Sequence, residues 1–322
     1  MEAVRPRIVA PDDAPPALKG SRAEQALREL GDLTIYNTLP HDPATLAQRL
    51  RDAHIAVNIR ASSKFTAQVL DTCPHLRHIA VFGIGVDHID LETCRQRGIT
   101  VTNTPGYSAQ SVAELAIALL LAVANRVAHH DRLVRQGRWG ERGYRIQLAG
   151  KMLGVVGLGP IGERVASLGR CLGMRVVAWT FRPTPERAHA LGVEFLPLED
   201  LFRQSDAVSI HLRLTPESRG LVSRRLLEMM KPTAILVNTA RGPIVDEEAL
   251  ADLLAQGRIG GVGLDVYGRE PLPPGHPFCG LDSVVLSPHT GGMTPEASQA
   301  GLDMLVENIR AWLTGQPIRV VG

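Results

Sequence analysis

Lys151-Met152-Leu153-Gly154-Val155-Val156-Gly157-Leu158-Gly159-Pro160-Ile161-Gly162 decides the fold. An apolar run of strand character ends in G-x-G-x-x-G, and the residues that follow, Ile161 to Leu172, read as a helix. Each glycine has a physical reason: Gly157 permits a tight turn, Gly159 lets backbone N–H groups approach a pyrophosphate, and Gly162 allows close packing of helix on strand. The unpaired N–H groups and dipole of the helix N-terminus then favour phosphate. Alone the motif is weak, because glycines also serve ordinary turns. Its setting between strand and helix, with further βα units behind it, points to a dinucleotide site.

Downstream, strands are expected at Val176 to Ala178, Ala207 to Ile210, Ala234 to Val237, Val262 to Leu264 and Val284 to Leu286, with a helix at Glu247 to Ala255. With Leu153 to Val156 they make a doubly wound six-stranded sheet. Upstream, Ile8 to Ala10, Ile55 to Val57, Ile79 to Val81 and Ile99 to Val101 read as strands, and Ser21 to Leu30 and Pro43 to Arg51 as helices, which implies a second parallel sheet. A helix from Ser108 to about Arg126 reads as the connector, and one from Pro295 to Leu313 is expected to pack back onto the first domain. At 322 residues the chain exceeds one ordinary core. The expected class is α/β: two Rossmann-like, doubly wound parallel-sheet domains with a cleft between them.

A formal net charge of +2 gives no argument for nucleic acid or an anionic membrane, so a small molecule is the default partner. The longest apolar run, Leu115 to Ala124, falls well short of the roughly 20 residues that span a bilayer and reads as a buried helix. The N-terminal stretch lacks the apolar core of a signal peptide. Four scattered cysteines, Cys73, Cys94, Cys171 and Cys279, form no metal or disulfide framework, so buried thiols in the cytoplasm and no metal site are expected.

The strand Arg175 to Trp179 ends where a carboxylate usually receives the ribose 2′-hydroxyl of NAD, but here Thr180-Phe181-Arg182 follows. No acid appears before Glu186. Nothing there repels a 2′-phosphate and Arg182 can pair with one, so NADP is expected ahead of NAD; otherwise Arg182 is a solvated turn residue.

Three later segments carry ionisable groups at strand ends, where a doubly wound sheet opens its crevice. They are Asn238-Thr239-Ala240-Arg241-Gly242-Pro243, Asp265-Val266-Tyr267-Gly268-Arg269-Glu270-Pro271, and Ser287-Pro288-His289-Thr290-Gly291-Gly292. With the glycine fingerprint and Asn103-Thr104-Pro105-Gly106, this ordered set resembles the D-isomer-specific 2-hydroxyacid dehydrogenase family over nearly the whole chain. Singly, such an arginine, glutamate or histidine is more often a surface or structural residue; the joint order reverses that reading.

The resemblance implies a substrate domain from residues 1–102 and 290–322 and a dinucleotide domain from 103–289. It also implies hydride transfer between NAD(P)H and a small 2-keto or D-2-hydroxy acid of the glyoxylate or hydroxypyruvate kind, by a homodimer joined through the helix after Ser108 and the segment around Trp139. Arg241 resembles the substrate anchor, His289 the acid and base, and Glu270 its partner, each role suited to a guanidinium, an imidazole and an orienting carboxylate. Asp265 resembles the residue that receives the nicotinamide carboxamide. The implied cofactor contacts are Gly157, Gly159, Pro160, Ile161 and Gly162, then Thr180 and Arg182, then Thr239 and Ala240, and finally Asp265, His289 and Gly291.

In the first domain, Phe82-Gly83-Ile84-Gly85-Val86-Asp87-His88 resembles the family loop whose N–H groups hold the substrate carboxylate, with Ile84 and Gly85 as the expected donors. Arg60 is a candidate for positive charge beside them, against a structural role. Side chains around Ile84, Tyr107 and Met293 would set substrate size. Pro160, Arg213 and Thr180 depart from the common family pattern near the cofactor, which bears on cofactor preference rather than on the chemistry. Two other readings stay open: a phosphoglycerate dehydrogenase-type enzyme, and a dinucleotide-sensing corepressor that binds peptides. Glu270 counts against formate dehydrogenases, which carry glutamine there.

Overall fold

Alternating apolar strands and capped helices build two units, Met1–Ser108 with Thr294–Gly322, and Ala109–Met293. The computed structural model describes residues 5–139, 143 and 145–321. The dividing points lie a few residues beyond the expected 102/103 and 289/290, so that Asn103–Ser108 clusters with the first unit and Thr290–Met293 with the second.

In the first unit, β1 (Arg7–Ala10), β2 (Asp32–Ile35), β3 (Ile55–Asn58), β4 (His78–Val81) and β5 (Thr100–Thr102) form one parallel sheet in the order β2-β1-β3-β4-β5. Successive residues of a strand point to opposite faces. Accordingly Ile8, Ala10, Ile55 and Val57 enter one core, and Val9, Ala56, Ile79 and Val81 the other. The C-terminal helix Pro295–Leu313, capped by Thr294 and opened by proline, returns to lay Leu302, Leu305, Val306 and Ile309 into the first of these cores. Strand β2 was not expected from the sequence. Asp-Leu-Thr-Ile is an edge strand that pairs only with β1 and buries only Leu33, so its apolar signal is thin.

In the second unit, β6 (Met152–Val156), β7 (Arg175–Trp179), β8 (Glu194–Phe195), β9 (Ala207–Ile210), β10 (Ile235–Asn238), β11 (Gly261–Leu264) and β12 (Val284–Leu286) form a seven-stranded parallel sheet. Its order is β12-β11-β10-β9-β6-β7-β8. The seventh strand, beyond the six expected, is the two-residue β8, which pairs with Val177 and Ala178 at the edge. Strand order reverses between β6 and β9, the position at which doubly wound sheets bind ligands outside their carboxyl ends. The helix Ala109–Ala124, expected as a connector, is a core element of this unit: Ala113, Ala116, Leu119 and Leu120 pack with Val155, Ile235 and Val237. Among the described residues no single helix is long and apolar enough to cross a membrane.

Candidate active site

The fingerprint turn leaves β6 with Gly157 at φ +97°, a conformation that L side chains rarely adopt, and a Cβ there would sit 2.7 Å from the His211 carbonyl oxygen. A Cβ on Gly162 would collide with the Gly157 carbonyl, so only glycine lets the helix Pro160–Cys171 start this close to the strand. By contrast, a Cβ on Gly159 meets nothing within 4 Å: the space in front of the helix N-terminus is open. Gly159 is the N-cap and contributes no side chain to it, and Pro160 occupies the first turn, where its missing N–H costs nothing. The N–H groups of Ile161 and Gly162 thus stand in the first turn of an uncapped helix end.

At the end of β7, Trp179 and Phe181 meet ring to ring at 4.8 Å, with Thr180 between them in the chain and Arg182 next. Arg182 is exposed. From the helix Pro185–Leu191, Arg187 reaches back to donate to the carbonyl of Leu158 at 2.5 Å, inside the fingerprint, and to that of Arg182 at 3.3 Å. This second cation was not singled out in the sequence. At the end of β9, His211 is half-buried, bonded through Nε2 to Ser209 Oγ at 2.8 Å, and desolvation pushes its pKa down to about 3, so the ring is neutral.

The end of β10 is tied by Asn238, whose Oδ1 accepts from Ala240 N at 3.0 Å and whose Nδ2 donates to the Arg241 carbonyl at 3.0 Å. Thr239 and Ala240 are nearly buried, and the Thr239 hydroxyl has no hydrogen-bond partner among the described residues. A Cβ on Gly242 would overlap the Tyr267 carbonyl carbon, which couples the Arg241 turn rigidly to the loop after β11.

That loop carries Asp265 and Glu270. Asp265 is buried, and its two oxygens accept from Thr290 N and Gly291 N, each at 2.9 Å. The side chain expected at the nicotinamide therefore also anchors the segment that bears His289. His289 itself has φ 55°, the left-handed region that non-glycine residues seldom occupy, and such strain tends to persist at functional positions. Its Nδ1 lies 2.7 Å from Glu270 Oε2, leaving Nε2 for chemistry, while Glu270 Oε1 accepts from Tyr267 N at 3.1 Å. Burial opposes ionisation of Glu270. The hydrogen bond and charge of His289, the Tyr267 N–H and the Arg241 guanidinium outweigh it and hold the carboxyl below its ordinary range. Glu247, at the start of the helix Glu247–Ala255, accepts from Gly268 N at 2.7 Å and steadies the same loop. Sequence reading missed Asn238, Glu247 and Arg187 as site-builders. Asn238 carried a signal, a polar residue ending an apolar strand, whereas nothing in the sequence marks Glu247 or Arg187.

In the first unit, the loop after β4 is clamped at its start. Gly83 N donates to Thr104 Oγ1 at 2.9 Å, Thr104 N to the Gly83 carbonyl at 3.0 Å, and Asn103 Nδ2 to the Ile84 carbonyl at 2.8 Å. With those carbonyls turned into the clamp, the N–H groups of Ile84 and Gly85 donate to no group among the described residues. Arg60 sends its guanidinium to the Pro15 carbonyl instead of leaving it open. Among the described residues no cluster of His, Cys, Asp and Glu could hold a metal ion.

The family described as D-isomer specific 2-hydroxyacid dehydrogenase, NAD binding domain, matches residues 117–291. A glyoxylate reductase of Korarchaeum cryptofilum is 36% identical over 319 residues, which cover 97% of this chain and 94% of that one. A D-3-phosphoglycerate dehydrogenase of Archaeoglobus fulgidus is 40% identical over 266 residues, 82% of this chain but 50% of that protein. Among solved structures, an NADPH-dependent glyoxylate/hydroxypyruvate reductase from Sinorhizobium meliloti, in complex with NADP and malonate, superposes with a TM-score of 0.86 at 30% identity, covering 99% of this chain and 97% of that one.

Proposed function

The chain belongs to the D-isomer-specific 2-hydroxyacid dehydrogenase family and is an NAD(P)-dependent oxidoreductase of small 2-keto acids, and we propose that it reduces glyoxylate or hydroxypyruvate with a preference for NADPH. The observation that carries this reading is the His289–Glu270 pair at 2.7 Å, set on a strained residue whose loop Asp265 holds from below.

The second unit suits a dinucleotide: open space before an uncapped helix end, a tight glycine turn, and a buried Thr239 hydroxyl that lacks a partner among the described residues. The fingerprint residues Gly157 to Gly162 would cradle the pyrophosphate, Thr239, Ala240, Asp265, His289 and Gly291 would flank the nicotinamide end, and Thr180 and Arg182 the ribose. When bound, the reduced nicotinamide supplies a hydride to the keto carbon. Arg241 grips the carboxylate and polarises the keto oxygen. His289 Nε2 gives that oxygen its proton, and Glu270, ionised and bonded to Nδ1, orients the ring and offsets its charge. In the first unit, the unengaged N–H groups of Ile84 and Gly85 are the donors we assign to a carboxylate. Arg182 and Arg187, with no acid between Trp179 and Glu186, favour a 2′-phosphate.

Turnover of a panel of 2-keto acids with NADPH and NADH tests the proposal. Glyoxylate or hydroxypyruvate should give the highest kcat/KM, and absence of turnover with both would refute it. A second reading, oxidation of a phosphorylated 2-hydroxy acid, is favoured by the 40% identity to the phosphoglycerate dehydrogenase and predicts 3-phosphoglycerate as the better substrate in the same assay. We also propose a cytoplasmic homodimer. Four free cysteines suit a reducing compartment, and the exposed apolar side chains Val127, Val134 and Trp139 suit a subunit contact that sedimentation would detect. The residues just after Trp139, 140–142, lie outside the described residues.

A further inference from the structure

A chain of buried polar groups runs beneath the carboxyl ends of β1, β3 and β4. Asp12, just past β1, is fully buried; Asn58 ends β3; His88 closes the loop after β4 and is 5% exposed. Asn58 Nδ2 donates to Asp12 Oδ2 at 2.8 Å and to the Arg60 carbonyl at 2.9 Å, while Asn58 Oδ1 lies 2.6 Å from His88 Nε2. Two acceptors at one end of the amide identify it as the NH₂, so the other end is the carbonyl and His88 must present an N–H to it. Asp12 accepts in addition from Ile59 N at 2.9 Å and Arg60 N at 3.2 Å. Burial pushes its carboxyl upward against these bonds.

The location of this chain gives it a use. In the order β2-β1-β3-β4-β5 the direction of winding changes between β1 and β3, which is where Asp12 meets Asn58. The loop from Phe82 to His88 starts at the Asn103–Thr104 clamp and ends at the His88 ring, so its unengaged amides lie between two fixed points. A polar group buried this deeply is costly unless bonded, and the bonds from Asn58 to Asp12 and to His88 Nε2 narrow the local geometry.

We infer that Asn58 is a positioning residue: by bridging Asp12 and His88 it pins the far end of the Phe82–His88 loop and so presents the Ile84 and Gly85 N–H groups to the substrate carboxylate. The inference rests on the reading above that these amides hold the carboxylate. Because such a contact is made in ground state and transition state alike, its loss raises KM and leaves kcat. A purely structural role would instead lower the folded, active fraction, seen as a fall in kcat at unchanged KM.

The test compares Asn58→Leu, His88→Phe, His88→Gln and Gly85→Pro, with KM and kcat for glyoxylate and Kd for NADPH. His88→Phe keeps the ring volume without the donor, and His88→Gln restores an N–H in reach of Asn58. We expect Asn58→Leu and His88→Phe to raise KM about tenfold, the worth of roughly one hydrogen bond, with kcat and the NADPH Kd unchanged and His88→Gln near wild type. If Asn58→Leu does not fold, the two His88 variants decide. If Gly85→Pro, which removes one N–H, raises KM while folded His88→Phe does not, the loop binds substrate but the network does not position it. If Gly85→Pro leaves KM unmoved, the reading of the loop is itself wrong and the inference falls with it.

Discussion

The two units use the same architecture, a parallel sheet wound from βα units, yet they prepare their ligand sites differently. In the second, each functional group lies within three residues of the end of the strand that positions it: Gly157 after β6, Thr180 after β7, Arg241 after β10, Asp265 after β11 and His289 after β12. In the first, the expected donors are backbone N–H groups, and what holds them are side chains distant in the chain, Asn58 and Asn103–Thr104. Side-chain chemistry at strand ends leaves a local trace in sequence. A loop held by remote partners leaves none. The functional counterpart is that damage to the second unit should slow chemistry, whereas damage to the network of the first should weaken binding.

The sharpest break of this contrast is His289→Gln. Glutamine can still meet Glu270 but cannot supply a proton at neutral pH, so kcat should fall roughly 100- to 10,000-fold, the usual worth of general acid catalysis, with the NADPH Kd unchanged. Single-turnover measurement checks it. A variant that keeps most of its kcat removes His289 from the reaction and leaves the Glu270 contact structural. Glu270→Gln, which can keep an acceptor for His289 Nδ1 but loses the charge and the acceptor for Tyr267 N, should cost about 10- to 150-fold.

How far the sequence carried these conclusions follows from the same contrast. The strands whose four residues are all buried, such as Ile55–Asn58, Ala207–Ile210 and Ile235–Asn238, were legible because a fully buried parallel strand is near-continuously apolar. The edge strands Asp32–Ile35 and Glu194–Phe195 were not, since half of each faces solvent or loop. The helix Ala109–Ala124 was legible as a buried element and fell inside the 103–289 dinucleotide domain, but its packing against Val155, Ile235 and Val237 was not legible, because apolarity says that a face is covered and not by what. Among site residues, Arg241, Glu270 and His289 stood out as an ordered set. Asn58, Glu247 and Arg187 did not, for their roles depend on partners 21 to 46 residues away.

Cofactor choice is decided within the second unit alone. Thr180→Asp with Arg182→Ala places a carboxylate where the 2′-hydroxyl of NAD can use it and removes one cation. The ratio of kcat/KM for NADPH over NADH should fall by about 10- to 150-fold, the worth of a charge-assisted hydrogen bond. Arg187 stays in the double variant, bonded to the Leu158 carbonyl, so some preference for the 2′-phosphate should persist until Arg187→Ala is added. A wild-type enzyme that prefers NADH would make Arg182 a solvated turn residue and leave Arg187 only its structural bond to the Leu158 carbonyl.

The smallest effect compares the units directly, through one desolvated histidine in each. His78, on β4, bonds Thr102 Oγ1 at 2.9 Å and stacks on Trp312, and desolvation pushes its pKa down to about 3; His211, after β9, is pushed down to about 3 by the same cause. In the folded chain both rings stay neutral, whereas unfolding frees them to bind protons below the ordinary histidine value of about 6.5. The unfolded state therefore takes up more protons, and stability is complete above that value and falls as pH drops toward 3. At pH 5.5 each ring should cost on the order of 1 kcal/mol relative to pH 7.5. Denaturant midpoints at the two pH values measure it, with His78→Gln and His211→Gln each expected to flatten the loss in its own unit. If both variants keep the full wild-type pH dependence, these rings are not what links folding to protons, and acid sensitivity must come from the paired carboxylates instead.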